Sequence, residues 1–143
     1  MLFNTTYTNT ETKELINDLL GQPFSFIQSI KMRGIGSKRM VIEEVSENFN
    51  ELLNSVSDLN YGNIELRPNG ILVMINKGLK NFTWVIPYRK LVLYKTYGLS
   101  IHADGKFIRF RENKTYKENK VFFKKMIRLK AENHENYAIP VYE

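Results

Sequence analysis

The sequence predicts one α+β domain in which N-terminal helices are followed by an antiparallel β-meander and closed by an amphipathic C-terminal helix. Apolar residues recur at helical spacing within residues 11–60, which we expect to form a helical layer. Short extended runs alternate with turn residues over 62–112, and a second helical pattern covers 115–133. A chain of 143 residues suits a single domain, so we assign residues 1–143 to one folding unit.

Composition supports a folded protein in a reducing compartment. Hydrophobic residues make up 43% of the chain and charged residues 25%, as in ordinary globular domains. The longest aliphatic run, residues 71–75, is far shorter than the ~20 residues needed to cross a membrane, so we expect no transmembrane segment. The chain has no cysteine, which excludes disulfides and thiolate metal sites and favours a cytoplasmic location.

The N-terminal part begins with an arm and a helix. Residues 1–10 are rich in Thr and Asn, and we expect them to be loose. Residues 11–20 have a helical apolar pattern that Gly21 and Pro23 bring to an end. Residues 24–32 fit either a short helix or a strand.

A second N-terminal helix is predicted over residues 40–57, where apolar side chains recur at helical spacing. The β-branched start of this segment leaves another interpretation open. In that interpretation residues 40–42 form a strand, and a helix capped by Asn48 continues from Phe49.

The middle of the chain predicts five or six antiparallel strands. Pro68-Asn69-Gly70 and Asp104-Gly105 are turn sequences, because Pro presets φ and Gly accepts positive φ. Trp84 lies inside one of the strands and is expected to face the core. The strands are predicted at residues 64–67, 71–76, 81–86, 91–96, 99–103 and 107–110.

The last helix is predicted from a capping pattern and from amphipathicity. Thr115 and Glu118 have the spacing of a capping box, so the helix should begin at Tyr116 and run to about residue 132. Residues 134–143 are predicted to form a tail. The residues expected on the buried side of the helix are Tyr116, Phe122, Phe123, Met126, Ile127 and Leu129.

Two short segments are similar to parts of the pleckstrin-homology-like (PH-like) domains found in bacterial proteins. These are residues 65–73 (Glu-Leu-Arg-Pro-Asn-Gly-Ile-Leu-Val) and 86–91 (Ile-Pro-Tyr-Arg-Lys-Leu), and the resemblance extends over residues 62–130. It implies an antiparallel sheet closed by a helix, and since many members of such folds bind proteins or have no known ligand, it does not by itself imply one function. The basic-x-Arg repeat of lipid-binding members is missing and the only Trp is Trp84, so the resemblance implies no phosphoinositide site.

Charge is unevenly distributed along the chain. Residues 1–66 have a net charge of −4, whereas residues 67–143 have a net charge of +10. This asymmetry has two interpretations, which are internal neutralisation of a basic sheet by an acidic layer and binding of a polyanion. For the second, the partner would be a nucleic acid or an anionic membrane surface. The candidate polyanion-binding residues are Lys77, Lys80, Lys117, Lys120, Lys124, Lys125 and Arg128.

The sequence contains no motif that predicts an enzyme. Its two histidines, His102 and His134, are far apart and have no adjacent acidic pattern, so we expect neither a catalytic residue nor a metal site. Residues 34–39 (Gly-Ile-Gly-Ser-Lys-Arg) could cradle a phosphate at a helix N-terminus, but they lack the spacing of a nucleotide-binding loop and fit a tight turn. We expect no cofactor.

These observations predict a non-enzymatic binding module. Its partner is expected to be another protein or a second copy in a homo-oligomer, and polyanion binding through the basic half is the alternative. An exposed sheet edge, or an apolar tail paired on a neighbour's edge, would supply the contact. The same tail could instead cover an edge of its own molecule. The candidate partner-binding residues of the tail are Tyr137, Ile139, Val141 and Tyr142.

Overall fold

Eight antiparallel strands form one open sheet in the part of the chain that the computed structural model describes, which is residues 1–52, 60–95 and 97–137. The spatial order is β1-β5-β4-β3-β2-β8-β7-β6, so β1 and β6 are the two edges. The strands are β1 (Leu2–Asn4), β2 (Met40–Val45), β3 (Asn60–Arg67), β4 (Gly70–Lys77), β5 (Lys80–Pro87), β6 (Val92–Tyr94), β7 (Ser100–Ala103) and β8 (Lys106–Phe110).

Helices occur near both ends of the chain, two between β1 and β2 and two after β8. The described helices are α1 (Thr10–Leu20), α2 (Phe26–Lys31), α3 (Lys114–Glu118) and α4 (Lys120–Tyr137), with 3₁₀ helices at Glu47–Leu52 and Tyr88–Lys90. None of these helices is long and apolar enough to cross a lipid bilayer. The prediction of an α+β protein with an antiparallel sheet is confirmed.

The predicted helix over residues 40–57 is wrong, and the strand alternative for its start is correct. Strand β2 occupies the centre of the sheet, between β3 and β8, and buries Met40, Val41 and Ile42. A central strand is covered on both faces, so a continuous apolar run suits it better than alternation does. The 3₁₀ helix that follows begins at Glu47, not at a cap formed by Asn48, and residues 53–57 lie outside the described residues.

The structure also corrects the prediction that residues 1–10 form a loose arm. Leu2 and Phe3 pair with Trp84 and Thr83 in β5, so β1 protects the edge of that strand. The amide of Thr12 donates to the side chain of Asn9, which is the N-cap of α1. Backbone pairing and capping therefore fix this segment, although its Thr and Asn content alone predicts a loose arm.

The hairpins form at the predicted turns, but the strands do not make a simple meander. Consecutive strands pair within β3-β4-β5 and within β6-β7-β8, whereas β5 and β6 are not neighbours. Pro87 ends β5, and the 3₁₀ turn after it carries the chain across to the other end of the sheet, where Tyr88 and Leu91 are buried. Among the described strands, these two three-stranded hairpin units are thus connected by strand pairing only through β2.

The two faces of the sheet have different cores. Trp84 and Phe49 meet edge to face, with ring centroids 4.9 Å apart, in the large core that α3 and α4 cover. On the opposite face, Ile16 and Leu20 of α1 pack on Leu72 and Val85 in a smaller cluster. In the described part of residues 11–60, the predicted helical layer consists of α1, α2 and the 3₁₀ helix at Glu47–Leu52, because residues 40–45 belong to the sheet.

The C-terminal helical region begins with a different cap from the one predicted. The amide of Tyr116 donates to the side chain of Asn113 at 3.1 Å, so Asn113, and not Thr115, is the N-cap. Asn119 separates α3 from α4, and α4 then buries Phe122, Phe123 and Met126 as predicted. The helix extends to Tyr137, so residues 134–137 are helical and not part of a tail.

Candidate functional site

The sheet edge formed by β6 is the best candidate for a binding site. Strand β6 pairs with β7 through Val92, Leu93 and Tyr94, and no described strand pairs with its other side. An unpaired edge presents backbone amides and carbonyls that can accept an added strand. Helix α4 lies beside this edge, because the side chains of Ile127 and Lys130 line the same cavity as the residues around β6.

The cavity between β6 and α4, which we call the edge groove, has an apolar floor and basic rims. Its volume is about 410 Å³. Leu91 is buried at its base, while Leu93 and Ile127 are half-buried and remain accessible. The ammonium of Lys130 donates to the carbonyl oxygen of Tyr88 at 3.4 Å. The residues that line the edge groove are Leu91, Val92, Leu93, Lys95, Ile127 and Lys130.

His102 lies beside β6 and takes part in its packing. Its ring stacks on Phe107 with centroids 5.1 Å apart and meets Tyr94 edge to face at 4.8 Å. Its Nε2 is 2.7 Å from Oγ of Ser100. Burial lowers the pKa of His102, so the neutral ring is favoured. A hydroxyl and two aromatic rings therefore surround the imidazole.

The predicted polyanion-binding residues do not form one uniform surface. Lys120, Lys124 and Arg128 recur every four residues, so they lie along one exposed side of α4, with Lys117 on α3 just before them. Lys80 is exposed on the separate β4–β5 hairpin.

Two of the candidate polyanion-binding residues form hydrogen bonds with backbone carbonyls of the protein itself. The ammonium of Lys77 donates to the backbone carbonyl of Glu51. The ammonium of Lys125 donates to the carbonyl oxygens of Met32, Arg33 and Gly34 at 3.1, 3.1 and 2.9 Å. Lys125 thereby caps the C-terminal end of α2, where the helix dipole favours a cation.

The alternative of a phosphate cradle at residues 34–39 is not supported. A strand, β2, follows this segment, so no helix N-terminus is available to attract an anion. The backbone at its start, residues 32–34, presents carbonyl oxygens to Lys125 and therefore binds a cation. Gly34 has a φ of +98°, and Gly36 makes a bridge to Glu65, which is the arrangement of the tight turn that the sequence favours.

Helix α2 is an exposed surface that the sequence pattern alone does not predict. Ser25 and Gln28 form a capping box at its start, and no residue of α2 is buried. Phe26, Ile27 and Ile30 are 80%, 65% and 61% exposed. A signal was available, because Ser25 and Gln28 have capping-box spacing directly before the apolar positions. What the sequence does not show is that these apolar residues face outward.

The predicted tail residues are only partly within the described chain. Tyr137 is the last residue of α4. The residues Ile139, Val141 and Tyr142 lie outside the described residues.

Comparison with known proteins yields no relative for this fold. The chain matches no protein-family model, and neither a curated protein nor a solved structure is significantly similar to it.

Proposed function

We propose that this protein is a non-enzymatic interaction module of PH-like architecture that binds an extended segment of a partner protein in the edge groove. The observation that carries the proposal is that no strand in the described part of the chain pairs with the outer side of β6, which lies directly beside an apolar cavity. Strand addition uses this combination, since backbone hydrogen bonds supply affinity and a pocket for alternate side chains supplies specificity. An antiparallel sheet followed by an amphipathic helix supports the PH-like part of the proposal.

The chemistry of the edge groove defines the ligand. An apolar side chain of the added strand would rest on Leu93 and Ile127, which are half-buried but accessible. Lys95 and Lys130 stand at the rims, so acidic residues on either side of that apolar residue would complement them. The expected ligand is an extended peptide with an apolar centre and Asp or Glu flanks.

Self-association is a special case of the same proposal. The segment that carries Ile139, Val141 and Tyr142 is apolar and is followed by Glu143, so by sequence it offers the apolar centre and one acidic flank of this ligand. A homo-oligomer would result if this segment of one copy occupied the edge groove of another. The proposed compartment is the cytoplasm, in keeping with the absence of cysteine.

The proposal is tested by selecting ligands from a displayed library of random short peptides with the full-length protein as bait. We expect enriched peptides with an apolar centre and acidic flanks, and we expect amide chemical shifts to change around β6 and the middle of α4 when such a peptide binds. Ile127→Glu should weaken binding at least about tenfold, since it places a like charge against the acidic flanks.

The matched control is Leu79→Glu, which places the same charge on an exposed apolar residue of the β4–β5 hairpin. This variant should bind like the unmodified protein. Sedimentation velocity on the unmodified protein would show whether a second copy is the ligand. Absence of any enriched peptide in a monomeric protein, or shift changes that map away from β6 and α4, would disprove the proposal.

A further inference from the structure

Helix α2 exposes its apolar side to solvent. Phe26, Ile27 and Ile30 occupy positions i, i+1 and i+4 of one helix and therefore form a ridge, which we call the α2 ridge. An amphipathic helix normally buries such a side against the core. Here the helix is attached by its flanks instead, because Phe24 and Met32 pack on the core at either end. A ridge of large exposed apolar side chains marks an interaction site.

The ridge lies in the most consistently basic part of the N-terminal half. Residues 19–42 contain four cations and no acidic residue, although residues 1–66 as a whole are acidic. Lys31 and Arg33 are exposed directly after the ridge. Helix α4 brings further positive charge to the same place, since burial lowers the pKa of Lys125 and repulsion from the nearby Arg128 and Arg33 lowers it further. The ridge is thus bordered by cations.

The fold holds the ridge in this outward position. The capping box of Ser25 and Gln28 fixes the start of α2, and the ammonium of Lys125 fixes its end through three carbonyl oxygens. Val121 is one helical turn before Lys125 on the same side of α4 and is 68% exposed, so it adds exposed apolar surface to the side of α4 that contacts the end of α2. The apolar residues are therefore positioned by neighbouring contacts and do not need a partner to form the helix.

We propose that the α2 ridge is a docking site for an anionic lipid bilayer, with Phe26, Ile27 and Ile30 inserted at the level of the headgroups and Lys31, Arg33 and Arg128 paired with lipid phosphates and carboxylates. Protruding aromatic and aliphatic residues bordered by cations match the chemistry of such an interface. A symmetric contact between two copies would bring Lys31 and Arg33 of each copy into one interface, where like charges repel. Charge complementarity therefore favours the anionic bilayer over a second copy.

This surface is distinct from the edge groove. Residues along an α-helix are separated by about 100°. Lys125, which contacts the end of α2, and Ile127, which lines the edge groove, therefore point to roughly opposite sides of α4. The same molecule can thus occupy a membrane surface and hold a peptide at once, and loss of either activity would leave the other intact.

The test is co-sedimentation of the full-length protein with vesicles of phosphatidylcholine and phosphatidylserine, compared with vesicles of phosphatidylcholine alone. We expect retention only on the anionic vesicles. The triple variant Phe26→Ser, Ile27→Ser, Ile30→Ser should lower the vesicle partition coefficient at least about tenfold. Its control is Leu79→Ser, which removes an exposed apolar side chain that is 95% exposed on the β4–β5 hairpin and should bind normally.

Charge and insertion are tested separately. Lys31→Glu should reduce retention, whereas Lys80→Glu, an exposed cation on the same hairpin as Leu79, should not. Trp84 is buried, so brominated lipid should not quench its fluorescence. In a Phe26→Trp variant, brominated lipid should quench the fluorescence of the added tryptophan. Equal retention on both vesicle types, unchanged binding of the triple variant, or the absence of quenching would overturn the proposal. Binding of an acidic polypeptide by the ridge without retention on vesicles would overturn it in favour of a protein partner.

Discussion

The ammonium of Lys125 donates to the carbonyl oxygen of Gly34 at 2.9 Å across a separation of 91 residues, and the carbonyls of Met32 and Arg33 accept from the same group. A residue that the sequence suggests for polyanion binding therefore joins α4 to the end of α2. Capping of a helix C-terminus by a lysine satisfies carbonyls that the helix itself leaves unpaired.

Replacing Lys125 with Met should release the end of α2. The substitution keeps most of the aliphatic stem and removes the charge, so the expected loss is about 1 kcal/mol in the free energy of unfolding measured with urea. Hydrogen exchange should also become faster at the amides of Met32, Arg33 and Gly34, which hydrogen-bond within the α2 turn. Lys124→Met is the control, since Lys124 is exposed and should change neither quantity. Identical exchange in both variants would contradict the capping role.

Gly70→Ala should destabilise the protein because the added Cβ has no room, and not because alanine disfavours the backbone φ at this position. A Cβ at this position would stand 2.3 Å from the carbonyl oxygen of Ile86 and 2.5 Å from Cδ2 of Leu20. One of these neighbours is backbone, so relief requires movement of β5 relative to β4, at a cost of at least about 2 kcal/mol by urea unfolding.

Gly36→Ala is the matched control for this prediction. The nearest atom to its added Cβ would be the carbonyl oxygen of Ile64 at 4.0 Å, so ordinary contact results. A similar loss of stability in both variants would contradict the role of the close approach of β5, because alanine in place of glycine at a permitted φ should by itself stabilise the fold slightly.

The start of α3 distinguishes two candidate caps. Asn113→Ala removes the side chain that accepts the amide of Tyr116 and should lower the free energy of unfolding by about 1 kcal/mol. Thr115→Ala removes the residue that the capping-box pattern suggests, and we expect it to cost clearly less. Equal effects of the two substitutions on thermal or urea unfolding would contradict the assignment of Asn113 as the N-cap and would support the predicted capping box.

Alkaline pH should destabilise the protein through Tyr88. Its buried hydroxyl donates to the carbonyl of Arg67 at 2.9 Å, and burial together with the charge of Glu132 raises its pKa. An unfolded tyrosine ionises near pH 10. Above that pH the unfolded chain releases a proton that the folded chain retains, so the free energy of unfolding falls as pH rises. Tyr88→Phe should cost about 1 kcal/mol at neutral pH and show a shallower decline above pH 10. Parallel pH profiles would contradict this assignment.

Local signals in the sequence account for the hairpins and for the buried side of α4. Asp104 and Gly105 both have positive φ, as the predicted turn requires. In contrast, the turn sequence at residues 68–70 explains Gly70 by its φ, whereas the structure explains it by the close approach of Ile86 in another strand. The sequence can indicate that glycine is present, but only the packed structure gives the reason.

The position of β2 and the nature of the edge groove could not be obtained from local patterns. The apolar residues of 40–57 satisfy helical spacing, and only pairing with β3 and β8 decides that 40–45 is a strand. The edge groove depends on β6 being last in the sheet order and on α4 lying next to it, which are long-range facts. The exposure of Phe26 on α2 is likewise decided by how the flanks of that helix attach to the core.

The central place of β2 has a consequence for synthesis on the ribosome. Strand β3 and, much later, β8 are both made after β2, and Val45 pairs with Ile108 across more than 60 residues. Each hairpin unit can form from contiguous chain as it emerges, but β2 has one unsatisfied edge until β8 is complete. The newborn chain therefore carries an apolar strand with an open side while more than 60 further residues are synthesised, and this is the stage at which a chaperone would be of most use to it.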